Sequence, residues 1–329
     1  MCEKIAEKKK PLTFYCYFKP VAVIGRFVGV FPLKNLHCSD CNELKFSFCS
    51  LPVLYTILLF TTTMGLLVYF TDWSPTNNPI DVANSSLMWL IVLETLTFLY
   101  SFISCFFCTW NAKKFLKLIK LLDFYDKQKN IIFPTDCNGE LVQLWKNTFQ
   151  PIFLGVSIFL LMIVGMVTFY RSTIEITCFD NIQKFSYSFF AVLGIWQVAP
   201  ILYYLYFATT IAKNFKYINS HCQKLIPNTK WYVNSDANVT PTNIKDTVKH
   251  IRYLHVLMAD AVKYLSLAYG SFLAVGQLYT ILTFALGFYL AFFTKLNGQE
   301  LFIYVSVYSI LSGIVILVSH KTRNEVRLL

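Results

Sequence analysis

The sequence predicts an all-α integral membrane protein with six hydrophobic helices and both termini on the cytoplasmic side. Three observations carry that expectation. The first is composition: 56% of the 329 residues are apolar and only 14% are charged, with a mean hydropathy of +0.51. A soluble domain carries nearer a quarter charged residues. The second is six uncharged or nearly uncharged runs of about 20 residues, the length that crosses a bilayer. The third is the uneven placement of Lys and Arg between the segments that join those runs.

The elements follow in order. Residues 1–47 form a cytoplasmic N-terminal segment. Lys4, Lys8, Lys9 and Lys10 resemble the basic start of a secretory signal, but Lys19 and Arg26 break the apolar stretch that follows. It reads as an interfacial segment, with Phe14, Tyr15, Tyr17, Phe18 and Phe27 near the headgroups. The spans are 48–70, 87–109 (interrupted by Glu94), 151–170, 186–212, 265–294 and 301–319. Residues 48–212 thus hold the first four spans, and 265–319 the fifth and sixth. The fourth and fifth runs exceed the hydrocarbon thickness and are expected to tilt or project inward as helices. Pro200 interrupts the fourth.

Loop charges set the orientation. With the N-terminus inside, the outer loops are 71–86, 171–185 and 295–300, and they hold only Arg171, Lys184 and Lys295. The other 26 of the 29 Lys and Arg lie inside. The net charge of +11 therefore reads as cytoplasmic loop charge, not as a nucleic-acid surface. The sequon at Asn84 falls in the first outer loop, as glycosylation requires, whereas the one at Asn238 falls inside.

The inner loop 110–150 carries a basic helical stretch. Residues 112–130 place Phe115, Leu118, Ile119 and Leu122 at i, i+3, i+4 and i+7. This amphipathic helix continues the second span. It either lies on the inner leaflet or belongs to a cytoplasmic packing domain. Residues 213–264 form a cytoplasmic segment with a flexible loop at 227–243 and a helix running into the fifth span, and 320–329 form a C-terminal stub.

No catalytic constellation emerges. His37, His221, His250, His255 and His320 all fall inside without a metal-binding spacing, and Cys38 and Cys41 form a lone CxxC among ten cysteines. Paired intramembrane carboxylates, a Walker sequence and GxSxG are missing. The chain is expected to be a receptor, channel or transporter with no cofactor, not an enzyme.

Glu94 lies about two turns into the second span, where an ionisable group costs a few kcal/mol unless paired or wetted. It faces either a water-filled ligand cavity or a neighbouring hydroxyl. Trp89, Trp196, Gln197, Tyr279, Tyr289, Tyr304 and Tyr308 cluster in the outer halves of the spans. Such groups line small-molecule pockets, and aromatic residues also anchor helices at interfaces. With Glu94 they form the candidate ligand-binding set.

Some stretches resemble the insect gustatory receptor family. The first is residues 18–58, with Lys19-Pro20, then Gly29-Val30-Phe31-Pro32, then the apolar entry through Leu44 to Ser50. Another is residues 253–293, with Ala268-Tyr269-Gly270, and a third is residues 319–325, beginning Ser319-His320-Lys321. The resemblance implies a seven-span chemosensory receptor of the plasma membrane, inverted relative to G-protein-coupled receptors. It further implies a ligand-gated cation channel, a homo- or hetero-tetramer of related subunits, with a small-molecule tastant among the outer parts of the second to sixth spans. The family's seventh span, with its Thr-Tyr pair and terminal Gln-Phe, lines the pore; the sequence ends at Leu329 without it. On that resemblance the chain is a receptor truncated before its pore helix, a partial gene model or a degenerate copy. Sugars, bitter compounds and carbon dioxide are all detected within the family. A small-solute membrane transporter is the alternative, resting on Pro200.

Overall fold

The computed structural model describes residues 13–38, 40–72, 85–133, 181–231, 241–293 and 298–327. Seven α-helices are found among them. They are α1 (Phe14–Phe27), α2 (Leu51–Asp72), α3 (Ser85–Trp110), α4 (Ala112–Ile132), α5 (Asn181–Trp231), α6 (Pro241–Phe293) and α7 (Gly298–Arg327). The first, second, fourth, fifth and sixth expected spans fall on α2, α3, α5, α6 and α7. The third, 151–170, and both sequons lie outside the described residues.

Several expected loops are helical. α5 is 51 residues long and α6 is 53. At 1.5 Å per residue each far exceeds a 30 Å hydrocarbon core. The expected flexible loop at 227–243 is helical through Trp231 and again from Pro241, and the expected C-terminal stub is helical through Arg327. Helix also enters the expected outer loops, at Asn181 and Gly298. α5 runs through Pro200 without a break, which removes the interruption on which the transporter reading rested.

Side-chain pairings give the helix directions. Thr97 meets Gln197 and Tyr125 meets Asn214, so the α3–α4 rod and α5 run parallel. Tyr204 meets Ser319 and Asn219 meets Glu325, so α5 and α7 run parallel. Thr97 meets Tyr279 whereas Lys114 meets Leu267, so α6 runs against them. These directions match the alternation expected of the second, fourth, fifth and sixth predicted spans.

One apolar core runs through the molecule, and its lower end is built by α1 and α4. α4 follows α3 after a single break at Asn111. Its Phe115, Leu118, Ile119 and Leu122 are all fully or almost fully buried, which decides for the packing reading of that amphipathic stripe. α1 is corrected in the same way. Phe14, Tyr15 and Phe18 were expected at the headgroups; the structure buries them. Phe18 packs within 5.3 Å of Phe207 and 5.4 Å of Phe31. Phe27, 75% exposed, faces outward. Each such side chain removed from water contributes about 1.5–3 kcal/mol.

Both ends of α1 are fixed. At its start the Tyr15 N–H donates to the buried Asp123 at 3.1 Å, and Lys127 pairs with the other oxygen of that carboxylate at 2.9 Å. The Phe14 N–H donates to Asp126, whose carboxyl is nevertheless pushed up to about 7 by burial, against the pull of Lys129 and with Asp123 adding to the rise. At its end Gly29 has φ +79°. The Val30 N–H reaches Gly25 O at 2.9 Å and the Gly29 N–H reaches Arg26 O at 3.0 Å. That is a Schellman cap, whose left-handed position favours glycine because it has no Cβ. The Gly29 to Pro32 motif is this cap.

Candidate functional site

α2 and α5 grip the last turn of α1 through three donors. Tyr55 OH donates to Phe27 O at 2.8 Å, Thr56 Oγ1 to Gly29 O at 2.6 Å, and Trp196 Nε1 to Val28 O at 2.9 Å. Trp196 is fully buried, with its ring 5.4 Å from that of Phe60. Two turns further along α5, Tyr203 lies over Gly25, where an added Cβ would come within 1.5 Å of its hydroxyl oxygen.

Gln197, the neighbour of Trp196, points to the other side of α5. Its Nε2 donates to Ser101 Oγ at 2.8 Å and to Thr97 O at 3.1 Å. Thr97 Oγ1 lies 3.2 Å from Tyr279 OH. Tyr279 in turn stacks on Tyr100, with ring centroids 4.3 Å apart and planes 12° apart. A polar layer thus ties α3, α5 and α6 together inside the bundle. In an apolar medium, where apolar burial drives little, such bonds and close packing hold helices together.

Beside this layer lies a cleft between α3, α5, α6 and α7. Tyr100 and Ile201 form its back. Phe272, Leu273, Gly276, Gln277 and Thr280 line it from α6, and Ser312 and Val315 from α7. Gly276 lets the Tyr100 hydroxyl approach α6 closely; a Cβ there would sit 2.9 Å from the phenol oxygen. Across the cleft Ser312 Oγ donates to Gln277 Oε1 at 2.5 Å. The walls carry hydroxyls and one amide and no ionisable carboxylate or amine. The cavity of ≈ 20 Å³ holds little more than a water molecule. The chemistry available is hydrogen bonding to a small polar molecule within an apolar wall, with nothing to activate a nucleophile.

Of the eight expected ligand residues, Gln197 and Tyr279 are brought into the polar layer beside the cleft, whereas Trp196 faces α1 and α2 on the other side of α5. Tyr289 lies on α6 at the surface, 36% exposed. Trp89 and Glu94 fall on α3, and Tyr304 and Tyr308 on α7, with side chains outside those described. The cleft residues Tyr100, Gly276, Gln277 and Ser312 were missed. Gln277 alone left a signal, as an amide inside an otherwise apolar run.

The family model for the 7tm chemosensory receptors matches residues 18–327, from the middle of α1 to the last residue of α7. The chain belongs to that family. A search of curated proteins finds no match. As a 7tm chemosensory receptor the protein is a membrane receptor, and its family is not an enzyme family. The match takes in both the Schellman cap at Gly29 and the cleft, so the features described here lie inside the receptor fold.

Proposed function

We propose that this chemosensory receptor is a gustatory receptor subunit that binds a small tastant in the cleft between α3, α5, α6 and α7 and gates a cation channel. The observation that carries the proposal is the Gln277–Ser312 bridge across an otherwise apolar cleft. The ≈ 20 Å³ cavity admits a tastant only when α6 and α7 part: a ligand hydroxyl or amine that replaces the bridge opens the cleft, and so couples binding to helix movement. With Trp110 taken as the inner end of the apolar stretch of α3, Tyr100 lies ten residues, about 15 Å, further along the helix, which supports a cleft near the middle of a bilayer. Glu94 and Trp89 of α3, with Tyr304 and Tyr308 of α7, remain the further candidates for ligand contact. Tyr279 and Gln197 back the cleft through Tyr100 and Thr97.

The division of 26 to 3 among Lys and Arg supports a multi-pass protein of the plasma membrane with its N-terminus inside. Assembly as a tetramer, with itself or with related subunits, completes the channel. The test is electrical recording from cells that express the chain together with related receptor subunits, across a panel of sugars and alkaloids. A ligand-dependent cation current that needs this chain is expected. A current identical with and without it removes the proposal.

A further inference from the structure

The outer surface of three helices changes character at one level. Among the described residues of α3 the exposed side chains are Val92, Thr95, Leu99, Phe102 and Trp110, all apolar but Thr95, and the last 59% exposed. The next exposed side chains on that rod are Lys113, Lys114 and Lys117 of α4. On α6 the exposed side chains from Leu267 through Leu278 to Ile281 are apolar apart from Ser271, and below them the charged Lys263 and Asp260 come to the surface, with Val256 and Tyr253 exposed further down. On α7 exposed Ile316 and Leu317 give way to His320 and Lys321. The first two changes coincide in space, because Lys114 Nζ donates to Leu267 O at 2.8 Å and to Asn111 Oδ1 at 3.0 Å. Lys117 Nζ stands 5.6 Å over the Tyr264 ring. A Trp followed by Lys at the end of an apolar surface marks a membrane–water boundary.

At that boundary Trp110, Lys113, Lys114 and Lys117 occupy i, i+3, i+4 and i+7, and so share one face. The opposite face of α4 is committed to the core through Phe115 and Leu118. The first eleven residues of α4 hold four lysines and no acid, and the nearest acid on the adjoining α6 is Asp260, one turn below Tyr264. We infer that this face seats the phosphate headgroup of an anionic phospholipid in the leaflet at the α4 end, with the acyl chains on Phe102, Trp110 and Leu267. Lys114 is held by its two oxygen partners and sets the level, while Lys113 and Lys117 supply charge. Juxtamembrane lysines attract anionic lipid in this way, each strengthening binding about fivefold.

The experiment is native mass spectrometry of the purified full-length chain with phosphatidylglycerol and phosphatidylcholine at equal concentration. Preferential retention of phosphatidylglycerol is expected. K113Q/K117Q leaves the Lys114 bonds intact and lowers phosphatidylglycerol affinity about 30-fold, with phosphatidylcholine unchanged. K113R/K117R binds like the parent, and so does K245Q/K249Q, which removes charge from the far end of α6. The single variants K113Q and K117Q, each weaker by about fivefold, serve if the double variant does not fold. Equal retention of both lipids, parent-like binding by K113Q/K117Q, or an equal loss in K245Q/K249Q overturns the inference. So does displacement of the lipid by an equal concentration of inorganic phosphate, which would make the site one for a free anion.

Discussion

The indole Nε1 of Trp196 donates to the carbonyl of Val28 at 2.9 Å, across 168 residues of sequence. This bond, with those from Tyr55 and Thr56, takes up the carbonyls that the last turn of α1 cannot satisfy itself. The N-terminal helix is therefore latched to α2 and α5. Trp196→Phe keeps one aromatic ring but removes the Nε1 donor together with part of the indole. It is expected to lower stability by about 1–3 kcal/mol, because Val28 loses its partner inside the bundle. Thermal unfolding of the solubilised chain measures this; parent-like unfolding would contradict the latch.

Gly29 is the second part of that latch. Its φ of +79° disfavours any L side chain, and an added Cβ would sit 3.0 Å from Leu59 Cδ2. Gly29→Ala is expected to cost about 1–2 kcal/mol from backbone strain alone. Gly29→Asn, which tolerates the left-handed region better, should lose less in the same melt unless its larger side chain meets α2.

Burial gives the α1–α4 contact a pH dependence. Asp126 has a carboxyl raised to about 7 in the folded chain, against an ordinary value of 3.8. The folded state therefore holds this proton more tightly than the unfolded state. By linkage the stability from this group is complete below about pH 4 and is lost as pH rises through 7. Asp126→Asn is expected to flatten that part of the stability profile and to gain on the parent above pH 7. Melting curves from pH 4 to pH 8 show it; identical profiles for parent and variant would exclude Asp126 as the source.

What was legible in the sequence follows from where a residue meets water. α4 has one face in solvent, so the spacing of Phe115, Leu118, Ile119 and Leu122 reveals its buried stripe. Lipid is as apolar as a core, so inside a span the same spacing cannot tell a packed face from a lipid face. Leu278 is exposed and Tyr279 buried, one residue apart, with nothing in the run to separate them. Gln277 stands out as an amide in an apolar run, but its partner Ser312 is an ordinary minor interruption until α6 and α7 bring the two together. Phe14, Tyr15 and Phe18 looked interfacial because their partners, on α4 and α5, lie roughly a hundred residues or more away in sequence.

Orientation is open to a direct check. Epitope tags at either terminus are expected to be detected only after cells are permeabilised, given the 26-to-3 charge split. A tag within 71–86 is expected to be detected on intact cells. A terminal tag visible on intact cells would reverse the orientation or change the number of crossings.

Ligand binding in the cleft is the central claim, and a melting-temperature shift tests it without depending on a pore. The purified chain is heated with each member of a panel of sugars, polyols and alkaloids, and a binding compound raises the midpoint. Gln277→Leu removes the amide that meets Ser312 and is expected to weaken that compound by about tenfold, with the ligand-free stability lowered only by the lost hydrogen bond, about 0.5–1.5 kcal/mol. Ser312→Ala should shift it in the same direction. If the compound stabilises parent, Gln277→Leu and Ser312→Ala equally at every concentration, the ligand binds elsewhere and the cleft is only packing.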